Sequence, residues 1–263
     1  MTKQEIVRKI LDTQYYYPKS YSSLQRTDYG MLFYNESNPD SNDSNHAIIT
    51  IDNENANYDS IIKEIKEFFL SKNLPPMIYS NHIPGQLERL RDSLNKNGFE
   101  VATFNNTYLV HKEKPKINEP YSLTIKRIEE GEDLSFIYKI WAVNKNRRGG
   151  ADRVFKVAEQ RKNWADYNLF VGHLEDGTPV TAAATEYFDG IGMVDEVETA
   201  KAYRGKGYAR QLTRFWIDYH SKNYSDQLLY VYYENPTAGR MYREAGFTDF
   251  DWNFESWSAW INQ

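Results

Sequence analysis

The chain contains no cysteine. That excludes a disulfide framework, a thiolate metal site and a cysteine nucleophile. No apolar run approaches the roughly 18 residues that a membrane-spanning helix needs. The first 30 residues lack the apolar segment of a secretory leader, because Tyr15, Tyr16, Tyr17 and Pro18 interrupt any candidate. A cytoplasmic protein without membrane contact is the expectation. Positive charge is not in excess either. The formal net charge is -5, which argues against a nucleic-acid footprint, normally strongly basic. Two phosphate-binding patterns are missing as well. Gly207 is followed by Tyr208, so the Walker pattern fails, and Gln211 and Leu212 stand where a dinucleotide fingerprint needs its third glycine.

What is present suits a globular protein. Hydrophobic residues make up 40% of 263 residues, enough to bury the core of one large or two small domains. With 21 tyrosines, any pocket should be lined by aromatic rings. The segment from Lys112 to Pro120 is polar, carries two prolines and lacks apolar periodicity, so it reads as a linker. It sets the expected domains at residues 1–114 and 121–263. Asn35 to Asn45, rich in Asn, Ser and Asp, reads as a mobile loop.

Downstream of the linker the pattern alternates. Ser122–Ile128 reads as a strand, and Asp133–Asn144 and Arg153–Trp164 as helices. Leu169–His173 and Pro179–Tyr187 read as strands joined at Asp176-Gly177, with Gly190–Thr199 as the next. Then come a helix at Tyr208–Tyr219, a strand at Leu228–Tyr233, a helix at Thr237–Ala245 and a strand from Phe247. The sum is a mixed α/β sheet. Upstream, a strand at His46–Ile51, a helix from Tyr58, a strand at Met77–Ser80 and a helix ending at Gly98-Phe99 repeat the last part of this order. Gly98-Phe99 precedes Gly246-Phe247 by 148 residues, and Tyr58 precedes Tyr208 by 150, which suggests internal duplication.

The sharpest feature lies between Val197 and Ala209. A strand ends near Thr199, and an amphipathic helix starts near Gly207. Gly205 and Gly207 let the backbone approach a ligand closely, while Arg204 and Lys206 add positive charge. A helix N-terminus offers free N–H groups and a partial positive charge, so a pyrophosphate is the expected ligand.

Arg204, Gly207 and Ala209 fit the spacing R/Q-x-x-G-x-G/A after a strand. Asn235, Ala238, Tyr242 and Gly246-Phe247 follow in order. In these motifs residues 122–250 resemble the GNAT (GCN5-related) N-acetyltransferases. The resemblance implies a mixed, mostly antiparallel sheet flanked by helices, the acyl-CoA N-acyltransferase fold, with a smaller N-terminal half resembling it. It implies acetyl-CoA as cosubstrate and a primary amine of a small molecule or peptide as acceptor. Two strands would splay apart, and pantetheine would pair with the main chain of Val197, Glu198 and Thr199. The amides of Gly205, Lys206, Gly207, Tyr208 and Ala209 would hold the pyrophosphate, with Arg204, Asn235 and Ala238 completing the set.

The implied chemistry is attack of a neutral amine on a thioester. A carboxylate would take the amine proton. Asp195, Glu196 and Glu198 are placed for this, and strand alternation puts Glu196 and Glu198 on one face. Those two are the expected catalytic carboxylates. A main-chain N–H near Val197 or Glu198 would receive the oxyanion. Tyr242, with an ordinary phenol pKa of about 10, would give the leaving thiolate its proton. No metal is implied. In the first half, Asn55 and Asn57 stand where Gly205 and Gly207 do, Leu94 stands for Tyr242, and Asp52 and Glu54 are acidic. That half is therefore expected to be a degenerate copy. Arg147 and Arg148 are expected to line the acceptor site. Two other readings stay open: a non-catalytic acyl-CoA-binding regulator, and an interaction module using Trp252, Trp257 and Trp260. Oligomeric state is not legible.

Overall fold

The computed structural model describes residues 1–53, 55–113, 120–142, 149–161, 165–252 and 254–261. In chain order the elements begin with α1 (Lys3–Lys19), β1 (Ser23–Arg26), β2 (Gly30–Tyr34) and β3 (His46–Ile49). They continue with α2 (Tyr58–Ser71), β4 (Met77–Tyr79), α3 (Gln86–Lys96), β5 (Glu100–Phe104) and β6 (Thr107–His111). Next come β7 (Thr124–Ile128), α4 (Phe136–Ile140), α5 (Gly150–Glu159), β8 (Tyr167–His173), β9 (Pro179–Phe188) and β10 (Ile191–Thr199). The last are α6 (Tyr208–Asn223), β11 (Leu228–Tyr233), α7 (Pro236–Glu244), β12 (Phe247–Asp249) and β13 (Ser256–Trp260). No helix among the described residues is long and apolar enough to cross a membrane.

The chain forms two compact units: residues 1–106 with 252–263, and residues 107–251. Unit 1 has a six-stranded sheet in the order β1-β2-β3-β4-β13-β5. Ile62, Ile65 and Phe69 of α2 and Leu87, Leu90 and Leu94 of α3 pack with Leu32, Ile49, Ile78 and Trp257 of the strands. Unit 2 has a seven-stranded sheet in the order β12-β6-β11-β10-β9-β8-β7. Leu212, Trp216 and Ile217 of α6, with Tyr242 of α7, pack against Phe170, Ala183, Val194 and Val231. The other face carries Leu169, Val171, Ala182 and Ala184 against Ile137, Ile140, Val154 and Ala158 of α4 and α5. The alternating alanines of β9 give each helix layer a small-residue floor.

A cut at the linker does not separate these units. β13 lies between β4 and β5 in unit 1, and β6 lies between β11 and β12 in unit 2. Each fills an inner position that would otherwise leave two rows of main-chain groups unpaired. With these strands in place the two sheets repeat one topology: β2-β3-β4-β13-β5 matches β9-β10-β11-β6-β12. In both, the parallel pair (β3 with β4, β10 with β11) is joined by a helix. The starts of α2 and α6, and of α3 and α7, are each 150 residues apart. The duplication read from the offsets is thus present in the pairing.

Two expectations are corrected. The segment 35–45 is a folded loop, with Asn38, Ser41, Ser44 and Asn45 buried. The Asn45 amide donates to the main-chain carbonyls of Asn38 (2.8 Å) and Ser41 (3.0 Å), so the loop is tied to its own backbone. The tryptophan-bearing tail is only partly a surface, with Trp252 42% exposed. Trp257 is 2% exposed and sits in the unit 1 core, because β13 is an inner strand.

Candidate active site in unit 2

β10 and β11 pair over only three residues, Ile191–Met193 against Leu228–Tyr230. Both strands then run on, β10 to Thr199 and β11 to Tyr233, with no further pairing between them. A gap therefore opens inside the sheet. Residues 195–199 are half-buried although β10 is an inner strand. The ladder to β9 shows how it opens. Asp195 pairs with Ala184 and Glu198 with Ala182, so two residues of β10 oppose one of β9. Such a bulge bends the strand and breaks its alternation. Glu196 sits in it with φ 50°, a left-handed backbone.

Beyond β10 a short 3₁₀ turn (Lys201–Tyr203) leads to Gly207, which precedes α6 with φ 79°. Gly205 has φ 76°, and around both glycines the space that a Cβ would occupy is open. No side chain caps α6. Among the described residues the N–H groups of Gly205, Lys206, Gly207, Tyr208 and Ala209 meet no acceptor. Five consecutive donors at a helix start, in open space, suit an anion with several oxygens. The residues present therefore fit a pyrophosphate.

The neighbouring side chains have definite duties. Arg204 does not reach into the cradle. Its Nε donates to the Thr199 carbonyl (3.0 Å) and its guanidinium to the Glu198 carboxylate (2.7 Å), which pins the loop to the end of β10. The Lys206 ammonium lies 5.3 Å over the Tyr203 ring. The Asn235 side chain accepts from the Thr237 N–H (2.9 Å) and so caps α7, with Ala238 packed on the α6 core. Val197 faces that same core, and Thr199 meets the Thr181 hydroxyl at 3.0 Å.

The expectation that Glu196 and Glu198 share a face is not met. The ladder puts Asp195 and Glu198 on the face of Ala182 and Ala184, because the bulge inserts one extra residue between them. Glu198 is engaged by Arg204, and Glu196 by Arg153 of α5 at 3.3 Å. Tyr242 is buried in α7, and its hydroxyl has no hydrogen-bond partner among the described residues. Burial pushes its phenol well above the ordinary value, and the charge of Asp195 adds to this. It therefore stays protonated at any physiological pH, and Asp195 is near enough to act on it.

Sequence reasoning missed a second group. Arg161 and Glu186 form a buried pair at 2.5 Å, and the Arg161 guanidinium lies 4.2 Å over the Tyr167 ring. Burial raises the Tyr167 phenol, with Glu186, Glu196 and Asp195 adding to it. The signal available was spacing: Arg161 follows Val154 by seven residues and Val157 by four, which continues the buried stripe of α5 beyond its end. Among the described residues no cluster could hold a metal ion.

Residues 134–247 match the acetyltransferase (GNAT) family. They are a GNAT domain. Solved structures share the fold over nearly the whole chain. A GCN5-related N-acetyltransferase from Kribbella flavida is 15% identical, with 97% of this chain and 95% of that one covered at a TM-score of 0.66. A functionally unknown conserved protein from Staphylococcus epidermidis ATCC 12228 is 14% identical, covering 93% and 96% at 0.67. A GCN5-related N-acetyltransferase-like protein from Streptococcus suis 89/1591 is 12% identical, covering 98% of each at 0.58. No curated protein matches the chain. At these identities the likeness is one of fold. Within the GNAT domain, Arg147 and Arg148 lie outside the described residues, as does Glu54 of unit 1.

Proposed function

We propose that the chain is an acetyl-CoA-dependent N-acetyltransferase acting on a primary amine of a small molecule or peptide. The observation that carries this is the run of five acceptor-free amides, Gly205 to Ala209, at the point where β10 parts from β11. The match of residues 134–247 to the acetyltransferase (GNAT) family supports it.

When bound, acetyl-CoA supplies the activated acetyl group. Gly205 to Ala209 hold its pyrophosphate. The main chain of Val197, Glu198 and Thr199, unpaired on the β11 side, holds the pantetheine arm in the gap. An N–H near Val197 would stabilise the charge that develops on the thioester oxygen. The amine nitrogen bonds to the acetyl carbon while the carbon–sulfur bond breaks. Asp195 or Glu198, directly or through water, takes the amine proton. The Tyr242 hydroxyl donates to the departing sulfur. Its raised pKa keeps the proton on the phenol until the sulfur departs.

The test is release of free CoA thiol from acetyl-CoA across a panel of amines, with acetyl-CoA affinity measured in parallel by calorimetry. Turnover with some amine is expected. Tyr242→Phe should lower kcat by about 10²-fold with affinity for acetyl-CoA nearly unchanged. Absence of any heat on mixing with acetyl-CoA would sink the proposal, and wild-type kcat in the Phe variant would remove Tyr242 from the reaction.

A further inference from the structure

We propose that Arg153 is a positioning residue: through Glu196 it holds the bulge of β10 that shapes the acetyl-transfer gap. The kinetic part of this rests on the proposed function; the structural part does not.

Glu196 is the anomaly that needs an explanation. Among the described residues, four that are not glycine have positive φ: Asn73, His82, Asp189 and Glu196. The first three are types that tolerate left-handed backbone, since short polar or imidazole side chains can bond locally to it. Glutamate has no such compensation. A strained residue persists only where its surroundings over-determine it. Here they do. The Arg153 guanidinium lies 3.3 Å from the Glu196 carboxylate, with the two side chains 6% and 11% exposed. A buried pair of this kind is strongly intolerant of losing one partner.

Arg153 is itself anchored. It lies in α5 next to Val154, and Val154 and Ala158 belong to the apolar cluster under β8 and β9. On the other side of the strand, Val197 packs into the core below α6. The peptide between Glu196 and Val197 is thus held from both faces: by a charge pair on one and by apolar packing on the other. It is also the peptide whose N–H belongs to Val197, the proposed oxyanion donor. Two residues earlier β10 has stopped pairing with β11. Arg153 therefore sets the backbone angle where the gap opens, and Glu196 is a strut rather than the base.

The experiment compares Arg153→Met, Arg153→Lys and the double variant Arg153→Met with Glu196→Gly. Glycine takes positive φ without steric cost and removes the carboxylate that Met would strand. In Arg153→Met, kcat for CoA release should fall by about 10²-fold, the effect of misplacing a reacting group by about 1 Å. Affinity for acetyl-CoA, held mainly at Gly205 to Ala209, should change far less. Arg153→Lys should recover part of kcat by keeping the charge. The double variant should recover most of the lost kcat and of the lost melting temperature. A merely structural role would lower the melting temperature but leave kcat per folded molecule intact. That result, or additive losses in the double variant, would overturn the proposal. Should the wild type neither bind acetyl-CoA nor release CoA, the functional reading fails, and the melting temperatures alone decide the strut. Recovery in the double variant then supports it, and additive loss refutes it.

Discussion

Two turns hold the same place in the repeated topology and have opposite chemistry. In unit 1 the turn between β3 and α2 closes on itself. The Asn55 N–H donates to the Asn53 side chain (2.9 Å), the Ala56 N–H to the Asn53 carbonyl (3.0 Å) and the Ser60 N–H to the Asn57 side chain (3.1 Å). In unit 2 the turn between β10 and α6 has glycine at both corresponding positions, and five of its amides meet no acceptor among the described residues. The next helices differ in the same sense. Glu255 fills the start of α3, accepting from the N–H groups of Gly85 (2.6 Å) and Leu87 (2.8 Å). Where α7 offers Tyr242, the end of α3 offers Leu94, buried in the core. One fold thus supports two outcomes. A helix start becomes a binding site when its own chain declines to finish it, and becomes scaffold when asparagine or glutamate does.

The sharpest way to break this contrast is to finish the unit 2 turn. Gly207→Asp places a carboxylate where the pyrophosphate is proposed to sit. Asp tolerates positive φ better than most residues and can cap α6. Like-charge juxtaposition costs several kcal/mol, so affinity for acetyl-CoA should fall by about 10³-fold. The melting temperature should hold, since a gained cap offsets the backbone cost. Calorimetry and a thermal melt check both. Unchanged affinity would mean that the amides are not the cradle.

Much of this contrast is legible from local sequence. The glycines at 205 and 207, the asparagines at 55 and 57 and the helix periodicities are near-neighbour signals, and the elements from β7 to β12 follow them in order. The illegible part depends on distant pairing. Nothing near Thr107 or Ser256 says that each strand enters the other half's sheet. The bulge at Glu196 depends on an arginine from another element, and strict alternation misassigns the faces of Glu196 and Glu198 without it. α1 is a different case. Its signal was present in Thr2-Lys3-Gln4-Glu5, where Thr2 and Glu5 form a capping box, but Tyr15 to Pro18 hid it. Pro18 stands in the last turn, so its missing N–H costs the helix a hydrogen bond near its end rather than in its middle.

The units also share a liability, which sharpens the comparison by showing what duplication left equal. Each buries a histidine. His46 of unit 1 stacks on Tyr79 at 4.4 Å, and burial pushes it down to about 4. His220 of unit 2 meets the Tyr187 hydroxyl at 3.0 Å and is also pushed down to about 4, by burial and by nearby His111. The unfolded chain takes up each proton near pH 6.5, and the folded chain only near pH 4. Stability is therefore flat above pH 6.5 and is lost as pH falls toward 4, by about 1.4 kcal/mol per pH unit for each histidine. Urea unfolding at pH 7, 6 and 5 should show this, and replacing His46 and His220 by Gln should make the loss shallower, with buried His82 and half-buried His111, also pushed down, keeping part of it. A wild-type stability that does not change between pH 6.5 and 5 would contradict it.

The mildest change runs the comparison backwards, by unfinishing the turn in unit 1. Asn57→Ala removes the side-chain oxygen that accepts from the Ser60 N–H. Losing an N-cap of this kind costs about 1 kcal/mol, and a unit of this size should melt about 4 °C lower. No second acetyl-CoA site should appear, and calorimetric stoichiometry should stay at one per chain. The reason is that opening one donor does not rebuild a cradle. Asn53 still takes the amides of Asn55 and Ala56, and Arg89 still pairs with Asp52 at 2.7 Å, keeping a carboxylate beside the turn. The difference between the two turns is therefore cooperative. A stoichiometry of two in the Ala variant would show instead that a single cap separates a scaffold from a site.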